Sequence, residues 1–216
     1  HMVSWDDALP FAPDRVMESA LDDALHPSTA AGARRIVAHG GALASEERRW
    51  GYGPLDEPIS PAIRRGGSYL VTGGNGGIGR HVALHLARTY GARVVVCGRS
   101  NASFDTTDTG EGSVVHRRAD CADVGEMEAL VAWTLEAHGA LHGVIHAAGV
   151  TRDHGLFLRN ANDTAAVLRP KVAGVVAVDE ATRGCALDFF MTFSSMSSVL
   201  GNPGQSDYAA ANAFLD

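Results

Sequence analysis

Four polar side chains in the second half of the sequence could together transfer a proton. Ser195 follows an apolar run, and Tyr208 lies 13 residues after it. Lys171 precedes Ser195 by 24 residues, and Asn212 follows Tyr208 by four. A tyrosine hydroxyl ordinarily has a pKa of about 10, so it needs a nearby cation to exchange protons near neutral pH. Together the four could stabilise and protonate an oxygen atom on which negative charge develops.

Each of these residues also has a plain structural interpretation. Ser195 is one of several loop serines, and Tyr208 could be an aromatic residue at the start of a helix. Lys171 and Asn212 could be solvated polar residues. None of the four residues on its own indicates a catalytic site.

A glycine-rich stretch, TGGNGGIGR, follows a short apolar run and leads into a helical pattern. Glycines allow the backbone to turn tightly and to approach a pyrophosphate, and the helix that follows offers free N–H groups. The alternative is a glycine turn that binds no ligand, but the strand–turn–helix context favours a dinucleotide. The predicted cofactor-binding residues here are Thr72, Gly73, Gly74, Gly76, Gly77, Ile78, Gly79 and Arg80.

Arg99 and Ser100 follow the second apolar run, where sites for NAD usually carry an acidic residue. An acid would repel a 2′-phosphate, whereas Arg99 can bind it through charge-assisted hydrogen bonds. Arg80 and Ser100 could assist, so NADPH is the predicted cofactor. Taken alone, Arg99 could equally be a solvated arginine.

Further polar or small residues follow the third and fourth apolar runs. Asp120 and Cys121 come after one, and Ala147, Ala148 and Gly149 come after the other. Since ligands bind at the carboxyl ends of parallel strands, we expect Asp120 to meet the adenine and the small residues to let the cofactor pass. His146 is predicted to be a buried structural histidine.

These residues must be positioned by alternating strands and helices. The predicted fold is α/β, a doubly wound parallel sheet of Rossmann type. Residues 3–61 are expected to form irregular and helical pieces, and residues 101–113, rich in Ser, Thr, Asp and Gly, a mobile loop. The predicted strands are Ser68–Thr72, Arg93–Cys97, Val114–Arg118, Gly143–His146 and Phe189–Ser194. The predicted helices are Arg15–Leu25, Gly79–Tyr90, Val124–His138 and Ala165–Arg183, the last one interrupted or restarted at Pro170.

The composition excludes several classes of function. A hydrophobic fraction of 45%, with 20% charged residues, is that of a globular protein. The net charge of −7 and the absence of a basic run argue against nucleic-acid and membrane partners. Three dispersed cysteines predict neither disulfides nor a metal site. No secretion signal is apparent, so we expect a cytoplasmic protein.

Together these motifs resemble the short-chain dehydrogenase/reductase family, in which a tyrosine donates the proton and a serine binds the substrate oxygen. That family usually has lysine four residues after the tyrosine, where this chain has Asn212. The exchange is similar to that in ketoreductase domains of modular polyketide synthases, here of the trans-acyltransferase type. Their motifs HAAG, PKV, FSS and GQxxYAAANA match His146–Gly149, Pro170–Val172, Phe193–Ser195 and Gly204–Ala213.

This resemblance implies a catalytic tetrad of Ser195, Tyr208, Lys171 and Asn212. It also implies reduction of a β-ketoacyl group on the phosphopantetheine of an acyl carrier protein, beside the other domains of a synthase. Asp153 stands at the last aspartate of the family's LeuAspAsp motif, and Leu200 replaces the tryptophan of the opposite class. We therefore expect B-type reduction, which gives a D-configured hydroxyl group.

The resemblance further divides the chain. Residues 1–65 would be the remnant of a noncatalytic structural subdomain with a linker, and residues 66–216 the catalytic domain. Because the family continues beyond the tyrosine helix, we expect that domain to be incomplete at its C-terminus. Two other functions stay open, a noncatalytic reductase-like scaffold and a free-standing reductase of a small ketone.

Overall fold

The computed structural model describes residues 63–101 and 109–216, and the backbone of residues 33–39 and 42–48. The chain divides into two compact units, residues 1–56 and 57–216. In the first unit, strand β1 (Ala33–His39) pairs antiparallel with strand β2 (Ala42–Arg48). The helix expected over Arg15–Leu25 lies outside the described residues, as does most of the expected remnant 1–65.

This strand pair corrects the expectation of irregular and helical pieces over residues 3–61. Two strands separated by Gly-Gly are a recognised hairpin signal, and the sequence has Gly40 and Gly41 at that place. The register sets Arg34 opposite Glu47 and Arg35 opposite Glu46.

The second unit contains the predicted doubly wound sheet. Its strands lie in the order β5-β4-β3-β6-β7 and all neighbours are parallel, which confirms the predicted fold class. The bounds differ from the predicted ones by two residues or fewer. The strands are β3 (Ser68–Thr72), β4 (Arg93–Gly98), β5 (Ser113–Arg118), β6 (Gly143–His146) and β7 (Phe189–Thr192).

Helices connect β3 to β4, β5 to β6 and β6 to β7, and they cover both faces of the sheet. Asp123 caps the helix that begins at Val124, because its side chain accepts a hydrogen bond from the Glu126 N–H. Asn160 caps the helix that begins at Ala161 by accepting from the Asp163 N–H. A short 3₁₀ turn spans Leu156–Leu158. The helices are α1 (Gly77–Tyr90), α2 (Val124–His138), α3 (Ala161–Thr182), α4 (Ser197–Leu200) and α5 (Ser206–Leu215).

Helix α3 corrects the prediction of a break at Pro170. The helix begins four residues earlier than predicted and continues through the proline. A proline inside a helix removes one backbone hydrogen bond and crowds the preceding turn. Burial of Val167, Gly174, Ala177 and Val178 on one face of α3 offsets that loss, since tertiary packing supplies most of a helix's stability.

Two apolar cores lie on opposite faces of the sheet. Leu70, Val95 and Val144 point into the core beneath α2 and α3. Tyr69, at the neighbouring position of β3, points into the core beneath α1. Because alternate residues of each central strand are buried on opposite faces, the strands are apolar almost throughout, as the sequence indicates.

The expected loop at 101–113 is described only in part. Residues 102–108 lie outside the described residues. Residues 109–112 form a turn closed by a hydrogen bond from the Gly112 N–H to the Thr109 carbonyl, at 3.0 Å. No helix in the described part of the chain is both long and apolar enough to span a membrane.

Candidate active site

The carboxyl ends of the five strands line one edge of the sheet, and a cavity of about 670 Å³ opens there. From β3 the chain proceeds to β4 and β5 on one side, whereas β6 and β7 lie on the other. The gap between β3 and β6 is thus a topological switch point, where doubly wound sheets bind ligands. Of the predicted cofactor residues, the cavity is lined by Gly73, Arg99, Ser100, Asp120, Cys121, Ala148 and Gly149.

The glycine loop packs directly on the loop after β6. Gly73 has φ +68°, and a Cβ atom there would lie 2.7 Å from the Ala147 carbonyl oxygen and from the Ala148 nitrogen. A Cβ on Gly79 would lie 2.5 Å from the Gly73 carbonyl oxygen. A side chain at Gly73 would push the two loops apart, and one at Gly79 would push the start of the following helix away from the glycine loop.

The remaining glycines of the motif divide into packed and open positions. A Cβ on Gly74 would lie 2.5 Å from Val96 Cβ, so this glycine lets the loop approach strand β4. A Cβ on Gly77 would meet nothing within 4 Å among the described residues. Helix α1 begins at Gly77, and no side chain caps it and no acid lies in its first turn. Its N–H groups therefore remain available to a phosphate.

Several predicted cofactor residues do not line this cavity. Thr72 is fully buried, with its hydroxyl 2.8 Å from His146 Nδ1. Ile78 is exposed at the surface of the loop. The other predicted cofactor residues that do not line the cavity are Gly74, Gly76, Gly77, Gly79, Arg80 and Ala147. The structure places them at the end of β3, in the two loops and in the first turn of α1, and their contact with a cofactor stays a prediction.

Arg99 lies exposed at the end of β4, on the wall of the cavity. Beside it, Ser100 is tied to the glycine loop by Asn75, whose amide donates to the Ser100 carbonyl at 2.8 Å and to its hydroxyl at 3.2 Å. Asn75 was missed by the sequence analysis, although it lies within the glycine motif. The tether holds the end of β4 against the loop that would bind the phosphates.

Asp120 has a partner that the sequence did not reveal. Its carboxylate accepts a hydrogen bond from Arg169 of helix α3 at 2.5 Å and another from the Ala122 N–H at 3.0 Å. Partial burial alone would raise the pKa of Asp120, but Arg169 and the nearby Arg99 hold it below its usual value. The neighbouring Cys121 thiol is buried, which raises its pKa to about 11.

Lys171 is the only lysine among the 216 residues, and it directly follows Pro170, which lines the cavity; the four predicted catalytic residues do not themselves line it. The residue is 4% exposed, and its ammonium group donates to the Phe193 carbonyl at 2.8 Å and lies 5.6 Å from the centre of the Tyr208 ring. A Cβ on Gly149 would lie 3.0 Å from Lys171 Cε, so the glycine makes room for the lysine. Burial lowers the pKa of Lys171, and the Asp216 carboxylate opposes that effect.

Ser195 lies just beyond the end of β7, beside the first turn of α4. Its hydroxyl oxygen accepts hydrogen bonds from the Ser197 N–H at 3.2 Å and from the Ser197 hydroxyl at 2.9 Å. Both lone pairs of the Ser195 oxygen are therefore used. Its own proton is left to donate to a ligand.

Tyr208 and Asn212 lie one turn apart on helix α5. The Asn212 amide nitrogen donates to the Tyr208 carbonyl at 2.7 Å. The Asn212 side chain is fully buried, and its Oδ1 accepts no hydrogen bond from any residue that the structure describes. A buried amide oxygen requires a donor, and a water molecule can supply one.

The two predicted stereocontrol residues occupy different surroundings. Both carboxylate oxygens of Asp153 accept from the Gln205 amide at 3.0 Å, so Asp153 is tied to the segment that leads into the Tyr208 helix. Leu200 ends helix α4 and is 65% exposed. Their roles stay predictions.

A buried ion pair, also missed by the sequence analysis, fixes the start of the Tyr208 helix. Arg159 donates to the Asp207 carboxylate and to the Gly204 carbonyl, and its side chain is 7% exposed against 2% for Asp207. The Asp207 carboxylate also accepts from the Tyr208 N–H at 2.7 Å. The only sequence signal was an acid directly before the tyrosine, with nothing to indicate its distant arginine.

Comparison with known proteins places this site in a family. The family model described as the KR domain matches residues 67–216. Polyketide synthase ThaG of Burkholderia thailandensis is 45% identical over 177 residues, which cover 80% of this chain and 3% of that protein. The chain thus spans a small part of the length of this relative.

Solved structures agree with that match. The crystal structure of a ketoreductase domain from the bacillaene assembly line superposes with a TM-score of 0.69 at 31% identity, covering 93% of this chain and 47% of that one. The 3-oxoacyl-[acyl-carrier protein] reductase from Brucella melitensis, solved in complex with NAD, superposes with a TM-score of 0.63 at 26% identity. That match covers 70% of this chain and 64% of the reductase.

The buried Arg159 pair predicts a large loss of stability on substitution. Arg159→Met would leave the Asp207 carboxylate buried without its partner, which costs about 3–5 kcal/mol of unfolding free energy. The matched control is Arg152→Met, because Arg152 is 54% exposed in its 2.9 Å pair with Asp163. Exposed pairs contribute about 1 kcal/mol or less. Urea unfolding of both variants measures the difference, and equal small losses would contradict the prediction.

Proposed function

The chain belongs to the KR domain family of polyketide synthases, and from that membership we propose that it reduces a β-ketoacyl group to a β-hydroxyacyl group. The observation that carries the proposal is the convergence of Lys171, Tyr208 and the Phe193–Ser195 segment at one edge of the sheet. The cavity of about 670 Å³ opens on the same edge. A candidate proton donor and a cavity within the size range of ligand pockets, about 300–1,000 Å³, therefore occupy the same edge of the sheet.

The residues at the edge fit a nicotinamide dinucleotide. Gly77 leaves open space, the start of α1 is uncapped, and Gly73 and Gly149 keep the edge free of side chains. When bound, the dihydronicotinamide supplies the hydride that reduces the ketone carbon. The protein residues then have to bind the substrate oxygen and protonate it.

Ser195 and Tyr208 are the groups proposed to act on that oxygen. Because both lone pairs of the Ser195 hydroxyl accept from Ser197, its proton can be donated to the ketone oxygen. That hydrogen bond strengthens as negative charge develops on the oxygen. Tyr208 then gives its phenolic proton to the alkoxide, which yields the alcohol.

Lys171 and Asn212 are proposed to support the tyrosine. The Lys171 ammonium, buried beside the Tyr208 ring, stabilises the phenolate that remains after proton transfer. Lys171 is also proposed to bind the nicotinamide ribose through one of its remaining N–H groups, since Phe193 takes one. The unpartnered Asn212 Oδ1 can hold a water molecule that returns the proton to Tyr208.

We propose NADPH as the cofactor because of the charge at the end of β4. Arg99 lies on the cavity wall, where an acid would be expected for NAD. The related Brucella reductase was solved with NAD, so the choice between the two cofactors depends on this chain's own residues. Asp120, held ionised by Arg169, is proposed to lie near the adenine.

The proposed substrate is a β-ketoacyl chain carried on the phosphopantetheine of an acyl carrier protein. The name of the Brucella reductase shows that a related protein acts on a carrier-bound 3-oxoacyl group. The polyketide synthase relatives support a place among the other domains of a synthase, and we propose that this synthase is cytoplasmic. Asp153 and Leu200 support B-type reduction with a D-configured product.

Tyr208→Phe tests the proposed acid. Removal of the hydroxyl should lower kcat by about 100-fold or more, because general acids contribute that much. NADPH oxidation is measured with a β-ketoacyl thioester on a carrier protein, and Tyr90→Phe is the matched control on helix α1. Turnover unchanged by Tyr208→Phe would contradict the mechanism. If the wild type binds the cofactor without turnover, a noncatalytic scaffold is favoured. If it turns over small ketones as fast as the carrier-bound thioester, a free-standing reductase is favoured.

Arg99→Ala tests the proposed cofactor. Loss of a charge-assisted bond to the 2′-phosphate should raise KM for NADPH by about 10- to 100-fold and leave KM for NADH nearly unchanged. Arg88→Ala, an exposed arginine on the last turn of α1, is the control. An equal effect on both cofactors would exclude Arg99 as the phosphate ligand.

The stereochemical proposal predicts a D-3-hydroxyacyl product from the wild-type chain. Asp153→Ala should reduce the excess of that product, because it releases the contact with Gln205 beside the Tyr208 helix. Asp179→Ala, which replaces an exposed aspartate on helix α3, should leave the product ratio unchanged. Chiral chromatography of the released hydroxy acid measures both. A predominantly L-configured wild-type product would refute the assignment.

A further inference from the structure

His146 is a buried histidine to which the proposed mechanism gives no role. It ends strand β6 and is fully buried. Its ring joins two elements of the site. Nδ1 lies 2.8 Å from the hydroxyl of Thr72, at the end of β3, and Nε2 lies 3.0 Å from the Pro170 carbonyl in helix α3.

These partners determine where the proton of the ring lies. A backbone carbonyl can only accept a hydrogen bond, so Nε2 carries the hydrogen and donates it to Pro170. The neutral ring then accepts the Thr72 hydroxyl hydrogen at Nδ1. Burial lowers the pKa of His146 to about 4, and the charge of Lys171 acts in the same direction while the Pro170 carbonyl opposes it. The ring therefore remains neutral near pH 7.

The hydrogen bond from His146 Nε2 is made to a proline within helix α3. Pro170 has no N–H, so the helix lacks one backbone hydrogen bond there. The next residue is Lys171. Close packing adds to the hydrogen bond, since a Cβ on Gly174 would lie 3.1 Å from both His146 Cε1 and Cys121 Sγ. His146 thus fixes the turn that carries the lysine.

We propose that His146 is a positioning residue, which holds the Pro170 turn of helix α3 on the ends of β3 and β6 and so sets the place of the Lys171 ammonium group. The kinetic consequence of this role rests on the proposed reductase function. The structural consequence, a displaced lysine when the bond to Pro170 is lost, does not depend on it.

Two substitutions separate the ring's two hydrogen bonds. An asparagine amide can replace Nδ1 but is too short to reach Pro170, whereas a glutamine amide can place a donor where Nε2 lies. His146→Asn should therefore lose the hydrogen bond to the Pro170 carbonyl, and His146→Gln should retain it. His85→Asn and His85→Gln, at an exposed histidine of helix α1, are the matched controls.

The single lysine permits a direct measurement in the full 216-residue chain. Labelling with ¹⁵Nζ-lysine gives one side-chain resonance, whose titration reports the pKa of Lys171. Burial lowers this pKa, Asp216 opposes the effect, and His146 is neutral. In His146→Asn the pKa should rise toward the ordinary lysine value as water reaches the ammonium group. His146→Gln and both His85 variants should retain the wild-type value.

Turnover gives a second, independent result. His146→Asn should lower kcat by about 100-fold, because a displacement of about 1 Å at a catalytic group can have that effect. KM for the thioester should change less than kcat, because Lys171 is proposed to act on Tyr208 and not on the thioester. His146→Gln should largely restore kcat. Equal behaviour of the two variants in titration and turnover, whether both fall or neither does, would overturn the proposal.

If His146→Asn fails to fold, the proposal can be tested by the tautomer of the His146 ring in the wild-type chain. NMR of ¹⁵N-labelled histidine should show the His146 proton on Nε2, and a proton on Nδ1 would overturn the proposal. If the wild type shows no turnover, the proposed function fails, while the lysine titration and the tautomer still decide the role of His146.

Discussion

The close approach of two backbone segments at the sheet edge determines the geometry of the whole site. At Gly73 a side-chain carbon would lie 2.7 Å from the backbone of Ala147 and Ala148, so only glycine lets the loops after β3 and β6 touch. The cavity opens where these loops meet, and Gly149 then leaves space for Lys171. The glycines of this edge act as packing residues as well as possible ligand contacts.

The catalytic candidates come from separate elements, and hydrogen bonds to backbone carbonyls hold them together. Lys171 of α3 donates to Phe193 at the end of β7, and Asn212 donates to Tyr208 within α5. Arg159 joins the segment before α3 to the start of α5 through Asp207. The Lys171 and Asn212 bonds end on backbone carbonyls, whereas the bond between Arg159 and Asp207 joins two side chains.

The sequence predicted those parts of the structure whose signals are local. The five parallel strands follow from short apolar runs, and the glycine motif, HAAG and the tyrosine spacing indicated the edge where they lie. Contacts between distant residues left no such signal, as with Arg159 and Asp207 or Arg169 and Asp120. The helix through Pro170 was mistaken for a break because its stability comes from tertiary packing.

The solitary lysine has a chemical consequence beyond proton transfer. Within these 216 residues Lys171 provides the only side-chain amine, and all the other strongly basic side chains are guanidinium groups. Its lowered pKa increases the fraction present as the free, nucleophilic amine. An electrophile carried on a substrate-like group would find one side-chain amine to acylate, buried inside the cleft. An amine-directed reagent that reacts with side chains would therefore mark the proposed catalytic site.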